Sequence, residues 1–239
     1  PCLVKSQKVK TLSTKCGPCP QPTVVFIKTY LLLICSSQRL SSLNKIALAG
    51  PVWLASDVHL GQNTVQTSEA FRDFLKLASK EAAGLLLPGD IFDAWIGDDV
   101  AVVAPPWLAQ DLMAIKACAA KIPVWLGRGN RDFLMGEALA AGLGARLLPE
   151  QVLVTIGGRT MLLSHGDEYC TDDLPYQQFR AMVRNPAWQS GFLARSIPER
   201  LTLAAQARGE SMAANQNKSS EIMDVNADAV ASAIRAANV

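Results

Sequence analysis

From residue 45 onward the apolar positions fall into short continuous runs and helical faces, separated by tips rich in Gly, Asp and Asn. KIALAGPVWLAS (45–56) reads as one buried strand, broken or bulged at Gly50 and Pro51. SEAFRDFLKLASKEA (68–82) puts Phe71, Phe74, Leu75, Leu77 and Ala78 on one helical face. GLLLP (84–88) is a short buried strand. PWLAQDLMAIKACAAK (106–121) is a second helix with Pro106 in its first turn, leading to the strand IPVWLG (122–127). DFLMGEALAAGL (132–143) predicts a third helix, stopped by Gly142 and Gly144. EQVLVTIGGRTMLLSHGD (150–167) predicts a hairpin turning at Gly157–Gly158, and 174–209 reads as mostly helical. Strands alternating with helices and then turning antiparallel predict an α/β core containing a mixed sheet.

Residues 1–44 have a different character. The apolar run VVFIKTYLLLIC (24–35) is too short to span a bilayer, is interrupted by Lys28 and fits a signal peptide poorly. Cys16-Gly-Pro-Cys19 has the spacing of a redox dithiol, but Pro18 and Pro20 stand where that motif needs a helix. The expectation is a poorly ordered, non-homologous extension at 1–44. The six cysteines do not form a secreted disulfide framework, because four lie in the first 35 residues. Cys118 and Cys170 read as ordinary reduced thiols. A net charge of +2 is too small to argue for nucleic acid, and no binding motif accompanies it.

Chemistry concentrates at four strand ends: SDVHLG (56–61), PGDIFDAW (88–95), GRGNRDF (127–133) and SHGDEYCTDD (164–173). Open α/β sheets bind ligands at the carboxyl ends of their strands. Asp57, His59, Asp90, Asn130 and His165 recur there, and both histidines of the chain are among them. Carboxylates, imidazoles and an amide oxygen suit Mn²⁺, Fe²⁺ or Zn²⁺. Side chains i and i+2 of a strand share a face, so Asp57 and His59 are expected to grip one ion. Asp90 is expected to bridge two ions about 3.5–4 Å apart.

In the order D-x-H, G-D, G-N, H-G-D these motifs resemble the calcineurin-like metallophosphoesterases. The fuller strings GDIFDAWIGDD, GNRDFLMG and HGDEYCTDD are similar to the branch that cleaves the diphosphate of a UDP-activated diacylated glucosamine lipid in lipid A biosynthesis. The resemblance runs from about residue 46 to 239 and implies two mixed sheets flanked by helices, with a helical lid insert. Domain bounds follow as 45–173 for the core, 174–230 for the lid and substrate-binding insert, and 231–239 for a return to the core.

It implies two Mn²⁺ ions, other divalent metals being alternatives, with Asp57, His59 and Asp90 on one and Asp90, Asn130 and His165 on the other. Water activated by the metals would attack the α-phosphorus, releasing UMP and 2,3-diacylglucosamine 1-phosphate. Asp90, Asn130, Arg131 and His165 are the expected catalytic residues. Asn130, Arg131, Asp173, Ser211, Asn215 and Lys218 are the expected substrate contacts, the last three on one helical face. Cys170 is expected to pack rather than act as a nucleophile.

Residues 174–209 mix apolar positions with an excess of arginine, which suits an acyl groove or an anionic membrane surface. The implied location is peripheral, on the cytoplasmic face of the bacterial inner membrane, with no nucleic acid and no obligate protein partner. The sequence departs from the family in one respect. It ends at SAIRAANV without the late Gly-His-x-His motif, so the expectation is a fragment lacking its C-terminal strands, short of one ligand per ion and weak or silent in turnover. The competing readings are a dimetal phosphoesterase acting on nucleotides or phosphodiesters, and a silent UDP-lipid-binding protein.

Overall fold

A computed structural model of the 239-residue chain describes residues 2–4, 31–33, 43–216, 218 and 222–239. Within the segment expected to be an extension, β1 (Cys2–Val4) and β2 (Leu31–Leu33) pair antiparallel, and Leu32 stands opposite Leu162. The rest of that segment through residue 42, with Cys16, Cys19 and Cys35, lies outside the described residues.

The expected first strand is in fact two, and they enter different sheets. β3 (Lys45–Leu48) and β4 (Val52–Leu54) are separated at Gly50, whose φ of +92° redirects the chain, and at Pro51, which has no N–H to give a ladder. The strands β4, β5 (Gly84–Leu87), β6 (Val124–Leu126) and β7 (Arg146–Leu147) pair side by side, all parallel. Their crossovers are α1 (Val65–Glu81), α2 (Pro106–Ala119) and α3 (Glu137–Leu143). The third helix is shorter than its pattern suggested, because residues 127–136 form a loop at the site. Gly142 lies inside it, and Gly144, at φ +70°, ends it.

β8 (Gln151–Ile156) and β9 (Arg159–Ser164) make the expected hairpin, with Ile156 opposite Arg159 and both turn glycines at positive φ. β3 runs parallel to β8, which gives the sheet order β1-β2-β9-β8-β3. This sheet is mixed, while the four-stranded sheet is parallel throughout.

Strand alternation sorts the core. Leu85 and Leu87 of β5, with Trp53, Val124 and Leu126, pack on the helix faces of Phe71, Leu75, Leu112, Ile115 and Leu139. Leu86, Val52, Leu54 and Trp125 point the other way and meet Val152, Val154, Met161 and Leu163 of the hairpin. Burying one such leucine contributes about 1.5–3 kcal/mol. On the far face of the hairpin, Leu153 and Leu162 are covered by Ala237 of α7 (Ala227–Ala237). The layers are therefore helices, parallel sheet, mixed sheet, helix.

The helices α4 (Leu174–Val183), α5 (Pro186–Leu193) and α6 (Ile197–Gln216) lie between the hairpin and α7 in sequence. α6 docks through Arg200, which is 2% exposed and donates to Ile96 O (2.6 Å), to Asp99 Oδ1 (2.9 Å) and to Asp99 Oδ2. Neighbouring Asp98 accepts from Trp95 Nε1 and from the backbone N of Gly136 and Leu139, at the start of α3. The last two aspartates of DAWIGDD, Asp98 and Asp99, thus hold helices in place.

The Asp99–Arg200 pair predicts an asymmetry. Asp99→Ala strands a buried guanidinium and is expected to cost about 3 kcal/mol, while Arg200→Met leaves an exposed carboxylate to water and costs about 1 kcal/mol. Urea unfolding of both variants tests this, and equal losses would contradict it. The Arg200 hydrogen bond holds the Asp99 carboxyl below its ordinary range. A depressed carboxyl contributes stability above its ordinary value of about 3.9 and loses it as pH falls through the folded value, so the Asp99→Ala deficit is expected to shrink below about pH 4.

Candidate metal centre

The site is built from loops that leave β4, β5, β6 and β9 at their carboxyl ends. The loops 57–60 and 89–93 run alongside each other, zipped by Asp57 N to Gly89 O (3.2 Å), His59 N to Asp90 O (3.0 Å) and Leu60 N to Ile91 O (2.8 Å). β4 ends at Leu54, so Asp57 and His59 do not converge as alternate residues of a strand. They converge because Asp57 (φ 54°) and His59 (φ 55°) are both left-handed, as is Asp90 (φ 53°). Three non-glycine residues in this costly region, all at one site, are backbone strain held for a purpose.

The ligand atoms of Asp57, His59 and Asp90 lie within 4.8 Å of one another. His59 Nε2 is 3.9 Å from Asp57 Oδ1, and its Nδ1 is 3.8 Å from Asp90 Oδ2. Asp90 Oδ1 is 3.8 Å from His165 Nε2, which in turn sits 3.2 Å from Asn130 Oδ1. Asp90 therefore turns one oxygen to each histidine, as a bridge between two cations would require. All five residues expected to hold metal are brought together.

The donor set fits a cation. The Nδ1 atoms of His59 and His165 are buried and have no hydrogen-bond partner among the described residues. Burial, aided by the nearby carboxylates of Asp132 and Asp57, pushes Asp90 up to about 7. Burial, with Arg131 next, lowers His59 to about 4, so its imidazole is neutral and able to ligate at neutral pH. Burial works against a charged His165, but Asp90, Asp167, Asp57 and Asp132 outweigh it and raise its pKa. These carboxylates call for positive charge, which a proton or a metal ion supplies.

Two loops approach so closely that only glycine fits. A Cβ on Gly89, at φ +118°, would come within 2.7 Å of Gly129 Cα, and a Cβ on Gly129 would overlap the Asp90 carboxylate. The group that locks them together is Asp132, which no metal-ligand pattern in the sequence marks. It is fully buried, and its carboxylate accepts from the backbone N of Gly129 (2.7 Å), Asp90 (3.1 Å), Ile91 (2.8 Å) and Phe92 (3.3 Å). Its only trace in the sequence is the aspartate of GNRD, directly ahead of the apolar Phe133–Met135.

The expected substrate residues are more dispersed. Arg131 stands beside the cluster, its Nε 3.7 Å from Asp90 Oδ2. Asp173 is 5% exposed, caps α4 by accepting from Tyr176 N, and binds Lys218 Nζ at 2.6 Å. Lys218 lies past the end of α6 at Gln216, so it does not share a helical face with Ser211 and Asn215, as the spacing had suggested. Ser211 is exposed on α6, and the side chain of Asn215 lies outside the described ones.

Four of the five arginines at 174–209 are engaged: Arg180 and Arg184 with Glu150 and Asp167, Arg200 with Asp99, and Arg208 with Asp93. The basic excess is therefore not a free cationic surface. Arg184 also donates to Gly129 O (3.1 Å), tying α4 to the metal loops. Cys170 is pushed up to about 11, by burial first and then by the surrounding carboxylates, which keeps it a thiol.

No protein-family model matches the chain. Curated relatives do. The UDP-2,3-diacylglucosamine hydrolase of Bordetella pertussis (strain Tohama I) is 66% identical over 197 residues, covering 82% of this chain and 76% of that protein. The protein of the same name from Chromobacterium violaceum is 44% identical over 176 residues, 73% of each chain. That from Cellvibrio japonicus is 42% identical over 184 residues, covering 77% of this chain and 76% of its own.

Proposed function

The chain belongs to the UDP-2,3-diacylglucosamine hydrolase family, and from that premise we propose a metal-dependent hydrolase of lipid A biosynthesis that cleaves the diphosphate of UDP-2,3-diacylglucosamine. Water attacks the α-phosphorus, giving UMP and 2,3-diacylglucosamine 1-phosphate. The observation that carries the reading is the Asp57–His59–Asp90 cluster, with His165 and Asn130 on the second oxygen of Asp90.

In this reading Asp57, His59 and Asp90 would hold one Mn²⁺, and Asp90, Asn130 and His165 would hold a second. Bound divalent cations supply a nucleophilic water at neutral pH and neutralise phosphoryl charge. Asp90, with one oxygen toward each histidine, would serve both positions. Arg131, an always-charged planar fork, takes diphosphate oxygens as charge gathers on them. Asp173, Ser211, Asn215 and Lys218 take the UDP-sugar end, which requires Lys218 to leave Asp173 or to share it.

The lipid half is supported by apolar exposure. Leu174 (66%) and Met182 (48%) on α4, Leu193 (41%) on α5 and Leu201 (55%) on α6 are presented to solvent. Such a helical cap suits acyl chains and a peripheral position on the inner face of the inner membrane. No helix of the described residues is long and apolar enough to cross a membrane.

The test is product release from UDP-2,3-diacylglucosamine by protein stripped with EDTA and then given Mn²⁺. Chelation is expected to abolish turnover, and Mn²⁺ to restore release of UMP. Release of UDP would place the cleaved bond elsewhere. Activity on simple nucleotides alone would indicate a different phosphoesterase, and metal-independent binding without turnover would indicate a silent lipid binder.

A further inference from the structure

Arg131 is held at three points. Its backbone N donates to Asp90 Oδ1 (2.9 Å), its Nε lies 3.7 Å from Asp90 Oδ2, and its Nη1 donates to Asp93 Oδ1. The same oxygen of Asp93 is approached by Nη2 of Arg208, on α6, at 3.5 Å. One carboxylate thus stands between a guanidinium of the metal loops and a guanidinium of the helical segment. It also lies close enough to act on the His59 imidazole, together with both arginines.

Stability does not explain this arrangement. The Asp93 side chain is 44% exposed, and exposed ion pairs contribute little to folding. Its loop is already fixed by backbone, since Asp93 N donates to Leu60 O at 2.9 Å. What the carboxylate does fix is direction. With Nε turned to Asp90 and Nη1 to Asp93, the plane of the Arg131 guanidinium is set, and among the described residues the Nη2 hydrogens remain for an incoming oxygen.

We propose that Asp93 is a positioning residue for the hydrolysis: it orients Arg131 toward the substrate diphosphate and, through Arg208, tethers α6 over the metal centre. The inference rests on the reading of Arg131 as a diphosphate contact. An arginine held in its working orientation loses less freedom when substrate arrives, and it meets the developing charge without having to reorganise.

The experiment is a double-mutant cycle on the full protein with Mn²⁺, using Asp93→Asn, Asp93→Glu, Arg131→Ala and the double variant Asp93→Asn/Arg131→Ala. Its readouts are kcat/KM for UDP-2,3-diacylglucosamine, Kd for inorganic pyrophosphate by titration calorimetry, and thermal midpoint. Asp93→Asn is expected to lower kcat/KM and weaken pyrophosphate binding roughly tenfold each with the midpoint unchanged, because a misaligned contact loses that order of effect. Asp93→Glu recovers part of the loss, and Asp93→Asn adds nothing once Arg131 is alanine. Wild-type behaviour of Asp93→Asn beside a strongly impaired Arg131→Ala overturns the proposal, as does a full tenfold loss that persists in the Arg131→Ala background. An Arg131→Ala variant with normal kcat/KM and Kd overturns the reading beneath it and the proposal with it, and is recognised by that single variant.

Discussion

Asp90→Asn is expected to lower turnover of UDP-2,3-diacylglucosamine at least a thousandfold, equivalent to about 4 kcal/mol of transition-state stabilisation. The amide keeps the shape of the side chain but removes the charge that the centre is built around. Asp90 Oδ2 faces His59 and Oδ1 faces His165, so on the proposed two-cation reading a single substitution weakens both positions together. The residue is 2% exposed, and no water can take the place of the missing charge. Steady-state kinetics with a parallel calorimetric titration of Mn²⁺ checks this. Turnover within tenfold of wild type, at saturating Mn²⁺, would remove Asp90 from the bridging role. Folding is expected to survive, because burial already pushes this carboxyl up to about 7 and a neutral side chain relieves that cost in the metal-free protein.

The second large effect is expected at Asp132. Replacing it with alanine leaves the backbone N–H groups of Gly129, Asp90, Ile91 and Phe92 without their acceptor in a dry turn. Each unsatisfied buried donor costs about 1–3 kcal/mol, with neighbours sharing the loss, so the expected destabilisation is about 4 kcal/mol. Asp132→Asn is the more informative variant. It keeps the volume but turns an NH₂ toward one pair of N–H donors, and its expected signature is a 10–100-fold loss of Mn²⁺ affinity with a smaller loss of stability. Calorimetric titration and urea unfolding of the two variants separate these effects. Wild-type Mn²⁺ affinity in Asp132→Asn would mean that the carboxylate only holds the fold and does not aim Asp90.

Asp132 and Asp93 mark where reading the chain stops short. Both sit inside motifs whose other members were legible: Asn130 in GNRD, Asp90 in GDIFD. The ligands could be found because metal binding needs particular residue types, and those recur at Gly-flanked strand ends. The two further aspartates carry no such mark. One accepts backbone hydrogen bonds from two loops about forty residues apart, and the other meets an arginine more than a hundred residues away. A sequence contains neither proximity.

The same distinction runs through the fold. The glycine pair at 157–158 and its alternating flanks specify the hairpin locally, and the registers agree with the pattern. By contrast, KIALAGPVWL looks like one strand because its apolar run is continuous. Only the stacking of two sheets requires the chain to leave one and enter the other at Gly50. Helical spacing puts Lys218 on the face of Ser211 and Asn215, but α6 ends at Gln216 before it is reached. The arginine excess at 174–209 read as a charged surface until partners on other elements accounted for most of it.

The sequence by itself determined the α/β class, the alternation of helices and strands from α1 to the β8–β9 hairpin apart from the two-residue β7, and the five candidate metal ligands, since each depends on residue type and short-range spacing. Only the tertiary structure decided how Asp57 and His59 turn toward one point, which carboxylates hold the ligand loops, and which arginines remain available. Those outcomes depend on left-handed backbone and on charges that meet across long stretches of chain, and neither is encoded in local periodicity.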